Sequence, residues 1–544
     1  MALRFGRRDV GVDTLWAIIA WCWLSVFNFR LPGLHRDEAW AILRTHSIAS
    51  GERPWNGMNA YTGALYEYLY VPWAAFFGYG ATSLRTFTAL LFAGVLFLLL
   101  RSLRRLGCST RFRVSASILF VSHPLIFAFA RTGFEVTSIN FFLGVLSLYL
   151  LATAKRPYAF FIAGILQGLA IWSHVLYAAF TMATLVTWAS ARAIRAWQRP
   201  RTLGRTAADA LAILIGLLAG ASIRLYDHFF LQPNGGDLHV AWIDRLQRQW
   251  IAFADDLPSL PQALLRLWEG PFVFKRYTGT SPKVYVPLLS ILFGIVLGIR
   301  IYRRVFWRET FHLVDGLAVL LFSLTTMGFA FMVPQWSDRY FEMPIAIALF
   351  SFLFACATLE KSSSALLRRY AFVLPSMGAL SCSALLAVYF VQPFFSRGGG
   401  SLAFGVGHRL EETSSHFVDA EPIRRFLVAS DVRAVYLEHF LRLPFDVYEL
   451  ERPALSLAED FAPTDALPSV RQSTAFVVYR HAMKDGKALV LDRRMRDRYE
   501  PSRIVEMIVS NPNVLIWIVR PTTPTVLENG SASLALFNGR KAKK

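Results

Sequence analysis

The chain has 544 residues, of which 55% are hydrophobic and only 17% are charged. A soluble protein of this length carries a larger charged share, so the composition excludes an ordinary globular enzyme and indicates a membrane protein. The net charge of +20 could suggest nucleic acid, but the basic residues stand in short loops between apolar runs. Basic residues in such loops set the orientation of a protein in the membrane, so the charge does not indicate nucleic acid as a partner, and we expect none.

Apolar runs long enough to cross a bilayer occur eleven times, since a span needs about 20 apolar residues or somewhat fewer. Basic residues before the first run place the N-terminus in the cytoplasm, and an odd number of spans places the tail outside. The prediction is a polytopic α-helical membrane domain over 1–392, with about eleven transmembrane helices. The runs lie near 14–30, 82–100, 114–131, 134–153, 158–173, 175–191, 207–224, 283–299, 312–333, 341–359 and 370–391.

Three blocks between or after these runs are predicted on the outer side. The block 31–81 is rich in Trp and Tyr, which suits short helices at the membrane interface. The block 225–282 mixes aromatic and charged residues, and we expect it to fold over an outer cavity. The tail 393–544 alternates helix-like and strand-like runs after a glycine-rich hinge, which predicts a small extracytoplasmic α/β domain.

An acidic pair, Asp37 and Glu38, follows directly after the first apolar run in the segment LHRDEAW. Charge at a membrane mouth is costly unless it has a use, and paired carboxylates suit a base or a group that holds a cation or hydroxyl. The plainer alternative is a solvated loop or a helix cap. We take Asp37 and Glu38 as the candidate catalytic residues.

Other ionisable residues fall at the same predicted membrane face and would form one layer with the acidic pair. Arginine can hold a phosphate in two hydrogen bonds, so this layer suits a lipid-phosphate donor whose head enters from the bilayer. The candidates for the donor phosphate are Arg339, Arg131, Lys275 and Arg276, and further cavity residues are Glu135 and His174. For each residue alone, a charge at the headgroup level is the competing interpretation.

No cofactor is indicated with certainty. The residues His35, Glu38, Glu135 and His174 could ligate a divalent metal, although no metal-ligand spacing supports it, and the metal stays unknown. The chain has no P-loop, GxGxxG, GxSxG or HExxH motif, so nucleotide hydrolysis and serine nucleophile chemistry are not indicated.

The first outer block, HRDEAWAILRTHSIASGERPW and the NAYTGALYEYLYVPWAAFFGYGATSLRTFTALLFAGVL that follows, resembles the first outer loop of the glycosyltransferase-C superfamily. The likeness is closest to the branch of protein O-mannosyltransferases and lipid A aminoarabinose transferases. It adds Arg85 at the start of the second span, and it matches ARTGFEVTSINFF, GLAIWSHVLYAAF and DRYFEMPIAIAL to later elements, which adds Tyr340. It covers about residues 10–360, and the tail has no comparable likeness.

The resemblance implies an inverting transferase that uses a polyprenyl-phosphate-linked sugar on the non-cytoplasmic face, with Asp37 as the catalytic carboxylate. Two departures limit it. The aminoarabinose enzymes have a Phe-Glu-Lys-Pro element where this chain has 61–64, YTGA, so neither lipid A specificity nor a metal requirement carries over. The WWD signature of oligosaccharyltransferases is reduced to Trp336-Ser337-Asp338, which argues against en-bloc transfer of a glycan to asparagine.

The leading hypothesis is a membrane glycosyltransferase that moves one sugar from a polyprenyl-phosphate donor to a lipid, glycan or protein acceptor. The compact loops indicate a bacterial plasma membrane, with the site facing the periplasm. A transporter or flippase of a lipid-linked sugar is the alternative, and it predicts charges near span midpoints and broken helices. A third hypothesis is a membrane scaffold that displays the tail, for which the acidic pair would be dispensable.

Overall fold

A computed structural model describes most of the chain and gives the molecule as mainly helical with a small mixed sheet near its end. The described residues are 7–26, 34–57, 62–131, 138–198, 203–226, 238–270, 287–306, 313–332, 341–362, 364–392, 417–418, 420–437, 439–451, 453–457, 472–479, 487–499, 504–511 and 514–520.

Most described residues among the first 392 are helical. The sequence there consists of apolar runs, and in lipid the backbone N–H and C=O groups of such a run must form hydrogen bonds with each other. A short strand β1 (Leu34–His35) follows the first helix. The helices are α1 (Arg7–Val26), α2 (Arg36–Ala49), α3 (Leu65–Phe77), α4 (Ala81–Arg105), α5 (Thr110–Ser122), α6 (Pro124–Ala130), α7 (Ser138–Thr153), α8 (Pro157–Ser173), α9 (Tyr177–Gln198), α10 (Leu203–Tyr226), α11 (Leu238–Asp256), α12 (Leu260–Glu269), α13 (Leu288–Phe306), α14 (Leu313–Met332), α15 (Glu342–Glu360) and α16 (Ala365–Leu386). A π-helical turn (Ala387–Val391) continues α16.

Four described helices are long and apolar enough to cross a membrane, and the bent pair α5–α6 makes five if it counts as one span. The four are Ala81–Arg105, Gly204–Tyr226, Glu342–Glu360 and Ala365–Val391. The chain is therefore a multi-pass membrane protein. Each of the eleven predicted runs coincides with a helix or a bent helix pair. The number of eleven spans stays a prediction, because several of these helices are shorter than the length that spans a bilayer by itself.

The predicted third span, 114–131, is bent rather than straight. Helices α5 and α6 meet at 65°, and His123 between them has an extended backbone with φ −60° and ψ 122°. The following Pro124 explains this, because proline disfavours helical geometry in the residue before it and starts a new helix readily.

Helices α8 and α10 pack backbone to backbone along a glycine seam. Gly164 and Gly168 on α8 face Gly216 and Gly220 on α10, and a Cβ at any of the four would overlap main-chain atoms of the other helix. Each pair is spaced four residues apart, which is the small-residue spacing that lets membrane helices approach closely.

Polar side chains near the helix termini make contacts in two layers, which lie at opposite ends of the helical part. One layer, here called the basic end, contains contacts between the ends of α1, α4, α5, α9, α10, α13 and α15. It is identified by the contacts Asp13–Arg104, Asp13–Arg113, Arg192–Asp209, Arg205–Lys155 and Arg300–Thr358. The other layer, here called the carboxylate end, contains Glu38 and Glu342 together with the helices of the two outer loops.

The end of the chain forms a five-stranded mixed sheet with helices, which confirms the predicted α/β region. The sheet order is β4-β3-β5-β7-β6, with β3 parallel to β4 and β5 and the other pairs antiparallel. Its strands are β3 (Ala434–Leu437), β4 (Ser456–Leu457), β5 (Thr474–Tyr479), β6 (Ile504–Asn511) and β7 (Val514–Val519). Its helices are α17 (Ala420–Ala429), α18 (His439–Glu451) and α19 (Lys487–Arg498). Two separate apolar clusters cover the two faces of the sheet.

The tail is joined to the first outer loop through backbone pairing. A two-residue strand β2 (Phe417–Val418) pairs antiparallel with β1, with Leu34 opposite Val418 and His35 opposite Phe417. Helix α18 packs on α2, and its Val447 lies in the apolar cluster of the helical part. The predicted boundary at 392–393 adjoins 393–416, which lie outside the described residues.

Candidate active site

The acidic pair lies in the first turn of α2, where the sequence had placed either a site or a helix cap. His35 is the N-cap: its Nδ1 accepts a hydrogen bond from the backbone N–H of Asp37 at 3.1 Å. The backbone N–H of His35 donates in turn to Oε2 of Glu38 at 2.9 Å. This reciprocal capping box satisfies two of the backbone donors at the helix start and fixes where the helix begins.

Glu38 is held in a buried two-point ion pair. Arg85, at the start of α4, donates from Nε to Oε1 at 2.9 Å and from Nη2 to Oε2 at 2.7 Å. Both side chains are fully buried. Burial of two charges is costly unless the geometry is good, and a fork of two charge-assisted hydrogen bonds provides it. Glu38 therefore anchors α2 to α4, and its expected role beside Asp37 as a catalytic group stays a prediction.

Asp37 remains near solvent while its neighbour is buried. Its side chain is 13% exposed, and its Oδ2 lies 3.7 Å from Nδ1 of His35. Anionic side chains are favoured in the first turn of a helix, where backbone N–H groups point outward. The capping box and the ion pair of Glu38 hold this turn on both sides, so the carboxylate of Asp37 is presented from a rigid support.

Tyrosines of α3 line the region between α2 and α4. The Tyr66 hydroxyl and Thr88 Oγ1 lie 2.9 Å apart in a hydrogen bond, and the Tyr66 and Tyr70 rings are stacked at 6.4 Å. Burial raises the pKa of Tyr66 well above its usual value of 10, with Tyr70, Glu38 and Glu67 adding to the rise. Tyr66 is thus a neutral hydroxyl and not a candidate base.

Backbone contacts at His174 connect the second half of the first outer loop to the end of α8. Thr62 forms a β-bridge with His174, and the Gly63 backbone N–H donates to the Ser173 carbonyl at 2.9 Å. A Cβ on Gly63 would overlap the Trp172 carbonyl oxygen. The ring of His174 accepts a hydrogen bond from the Leu176 backbone N–H at Nδ1, so the side chain is buried in a turn.

A buried carboxylate that the sequence reasoning missed lies close to His174 in the fold. Tyr177, whose backbone N–H donates to the His174 carbonyl, donates its hydroxyl to Oε1 of Glu342 at 2.9 Å. Glu342 is fully buried at the first turn of α15. The available signal was a glutamate at the start of an apolar run, since an ionisable group inside a span is a functional candidate by default.

Arg131 is buried between aromatic rings at the end of α6. The carbon at the centre of its guanidinium lies 5.3 Å from the Phe127 ring and 5.0 Å from the Phe390 ring. A cation over aromatic faces is stabilised by the negative face of the rings. Next to it, His123 Nε2 lies 3.0 Å from the Trp268 carbonyl, which ties the second outer loop to the bend.

The structure therefore joins Glu38 with Arg85 and Asp37 with His35, and it places Arg131 and His174 at the same end of the helical part. Four predicted site residues, Arg339, Lys275, Arg276 and Glu135, lie outside the described residues, as does Tyr340. Their roles stay predictions. Among the described residues, no group of three or more His, Cys, Asp and Glu is placed to hold a metal ion.

The solved structures that are similar to this chain include two of one protein. A crystal structure of ArnT from Cupriavidus metallidurans bound to undecaprenyl phosphate is 11% identical with a TM-score of 0.48, over 95% of this chain and 99% of that one. The apo structure of the same protein is 12% identical with a TM-score of 0.42, over 94% and 97%. No family model and no curated protein matches the chain. Likeness at this level does not fix an activity, so the proposal below rests on this chain's own residues.

Proposed function

We propose that the chain is an inverting membrane glycosyltransferase that moves a single sugar from a polyprenyl-phosphate carrier to a lipid, glycan or protein acceptor on the non-cytoplasmic face. The observation that carries the proposal is the different treatment of two adjacent carboxylates. Glu38 is buried and paired with Arg85, while Asp37 is partly exposed in the same helical turn. Charge at a membrane mouth is costly unless it has a use, so the partly exposed carboxylate is the candidate for chemistry.

In the proposed reaction Asp37 takes the proton from the acceptor hydroxyl. The acceptor oxygen then attacks the anomeric carbon from the face opposite the phosphate, and the sugar–phosphate bond breaks with its electron pair going to the phosphate oxygen. The configuration at the anomeric carbon inverts in this single displacement. The leaving phosphate would be held by arginine, for which Arg339 and Arg131 are the candidates, with Lys275 and Arg276 from the second outer loop.

The resemblance of the first outer loop to the glycosyltransferase-C superfamily supports the class of donor, since it includes both Asp37 and Arg85. The ion pair Glu38–Arg85 connects these two matched positions physically. Arg85 binds Glu38 and so anchors the helix α2, and the same turn of α2 presents Asp37. The sugar and the acceptor follow from neither observation, and the assay has to survey both.

The test is release of free polyprenyl phosphate by purified protein from a panel of polyprenyl-phosphate sugars, with mixed acceptors. Wild type should release it, and Asp37→Asn should not. Asp255→Asn, which neutralises an exposed carboxylate of α11, is the matched control and should keep the wild-type rate. Release at equal rates by wild type and Asp37→Asn would contradict the proposal, and so would failure of every donor.

One observation favours the alternative of a flippase for a lipid-linked sugar, namely the 65° break between α5 and α6. Broken helices are typical of transporter sites, where they line a cavity. The two hypotheses separate in proteoliposomes loaded with a labelled polyprenyl-phosphate sugar. A flippase exposes the label on the other leaflet with the sugar–phosphate bond intact, whereas a transferase yields free polyprenyl phosphate.

A further inference from the structure

A cavity of about 620 Å³ lies between α12, α13, α14 and α15, away from the acidic pair. Cavities that hold small ligands measure about 300–1,000 Å³, so this one is large enough for a lipid chain. Its lining is mainly apolar and includes Leu264, Trp268, Phe293 and Phe322. Several lining side chains, among them Leu297, Ile301 and Val319, are also exposed, so the cavity opens sideways.

The polar groups of this cavity are unevenly distributed along its length. Ser290 and Trp268 line one end, near the carboxylate end of the molecule. Arg300, Arg303 and Thr358 line the other, at the basic end. Ser290 and Arg303 are thirteen residues apart on one helix, which corresponds to roughly 20 Å at the helical rise. The cavity is therefore a long apolar slot, and the two cations among its described lining residues lie at one mouth.

One of the two arginines at this mouth, Arg300, is held by a neighbouring helix. Arg300 donates from Nη1 to Thr358 Oγ1 at 2.6 Å, and the Thr358 hydroxyl donates to the Ala355 carbonyl at 2.7 Å. This chain of bonds fixes the guanidinium of α13 against α15. Two guanidiniums next to an apolar slot complement a molecule with a phosphate head and a hydrocarbon tail.

We propose that this cavity is a site for an anionic phospholipid of the leaflet at the basic end, with its phosphate on Arg300 and Arg303 and one acyl chain along α13. The head of such a lipid lies at the end opposite the acidic pair, so the site is separate from donor binding and does not depend on the proposed function. A polyprenyl-phosphate donor would need its phosphate at the carboxylate end, where none of the described lining residues of this cavity is a cation.

The test measures retained lipid by native mass spectrometry after the full-length protein is exchanged into detergent with phosphatidylglycerol or phosphatidylcholine. Wild type should retain one phosphatidylglycerol. The double variant Arg300→Gln/Arg303→Gln should retain about tenfold less or lower still, since each cation near an anionic lipid head contributes measurably. Arg111→Gln, which removes an exposed arginine from the same end but not from this cavity, should bind like wild type.

A second variant, Ala318→Trp, fills the slot and leaves both arginines in place. It should also lose the lipid, and it carries the test if the double variant does not fold. Equal retention of phosphatidylglycerol by wild type and both variants would overturn the proposal. Equal retention of phosphatidylcholine would overturn the anionic requirement, and displacement of phosphatidylglycerol by polyprenyl phosphate in equimolar mixtures would assign the slot to the donor carrier instead.

Discussion

Two buried ionic clusters stand at opposite ends of the helical part, and they differ in what lies next to them. At the basic end Asp13 of α1 binds both Arg104 and Arg113, and all three side chains are almost completely buried. At the carboxylate end Glu38 is paired with Arg85, equally buried, but the residue before it remains partly exposed. The three charged side chains of the first cluster are all buried, whereas the second cluster adjoins a carboxylate that is partly exposed.

The difference indicates how a membrane protein can use costly buried charge for two purposes. A buried pair specifies which helices meet, because a wrong pairing would leave a charge uncompensated. The basic-end cluster joins α1, α4 and α5. The pair at the carboxylate end joins α2 and α4 in the same way, and through the capping box it also fixes the helical turn that presents Asp37.

The largest expected effect is loss of stability when either cluster loses one partner. Glu38→Gln and Arg85→Met should each lower the free energy of unfolding by about 3–5 kcal/mol, because the remaining charge stays buried. Asp13→Asn should cost a similar amount at the other end. Thermal unfolding in detergent measures all three.

The comparison is sharpened by measuring turnover at a temperature where each of these variants is folded. We expect Glu38→Gln to reduce turnover and Asp13→Asn to leave it unchanged. Equal turnover losses from both clusters would mean that the pair Glu38–Arg85 is only a helix anchor.

Asp37→Asn should have the next largest effect, and on activity alone. The amide keeps the size and much of the hydrogen bonding of the carboxylate but takes no proton, so turnover should fall by about two or more orders of magnitude. Thermal stability and donor binding should stay near wild type. A variant as unstable as Glu38→Gln would instead place Asp37 in the structural cluster.

Local features of this fold were predictable from the sequence, and long-range ones were not. The helices and the α/β tail follow from apolar runs and strand-like runs, which are properties of neighbouring residues, and a helix cap was an open alternative at the acidic pair. Even the bend at His123 had a local signal in Pro124. The partner of Glu38 had no such local signal, because Arg85 lies 47 residues away. Residue type alone does not show which arginine pairs with a given glutamate.

The same reasoning explains why the link between the tail and the site was missed. The sequence predicted that the tail is a small separate α/β domain behind a glycine-rich hinge. In the structure β2 pairs with β1, whose last residue, His35, is the N-cap of α2. A strand of two residues is too short to show the alternation of apolar and polar residues from which strands are predicted.

The third prediction follows from this strand pairing. Phe417→Pro/Val418→Pro removes the backbone donors of β2 and should free β1, so that the position of Asp37 is less well fixed. We expect a loss of about tenfold in kcat with a small change in thermal stability, since small misplacements of a catalytic group are costly. Ala454→Pro, which removes a backbone N–H donor to Glu449 elsewhere in the tail, is the control. Wild-type kcat in the strand variant would show that the tail does not support the site.

The smallest effect is expected at Arg131, which has a matched counterpart at the basic end. Arg131 lies over Phe127 and Phe390, and Arg192 lies over Phe160 and Trp188 at 5.1 and 5.4 Å. Lysine keeps the charge but loses the planar fork that matches phosphate oxygens.

If Arg131 binds the donor phosphate, Arg131→Lys should weaken donor affinity by about fivefold, the loss expected from one ordinary hydrogen bond, while Arg192→Lys should not change it. Both variants should lose a similar small amount of thermal stability, because both lose stacking on two rings. Titration of each purified variant with a polyprenyl-phosphate sugar measures the affinity. Unchanged affinity in both would make Arg131 an aromatic-stacked anchor of α6, equivalent to Arg192, and would move the donor phosphate to Arg339 as the remaining first candidate.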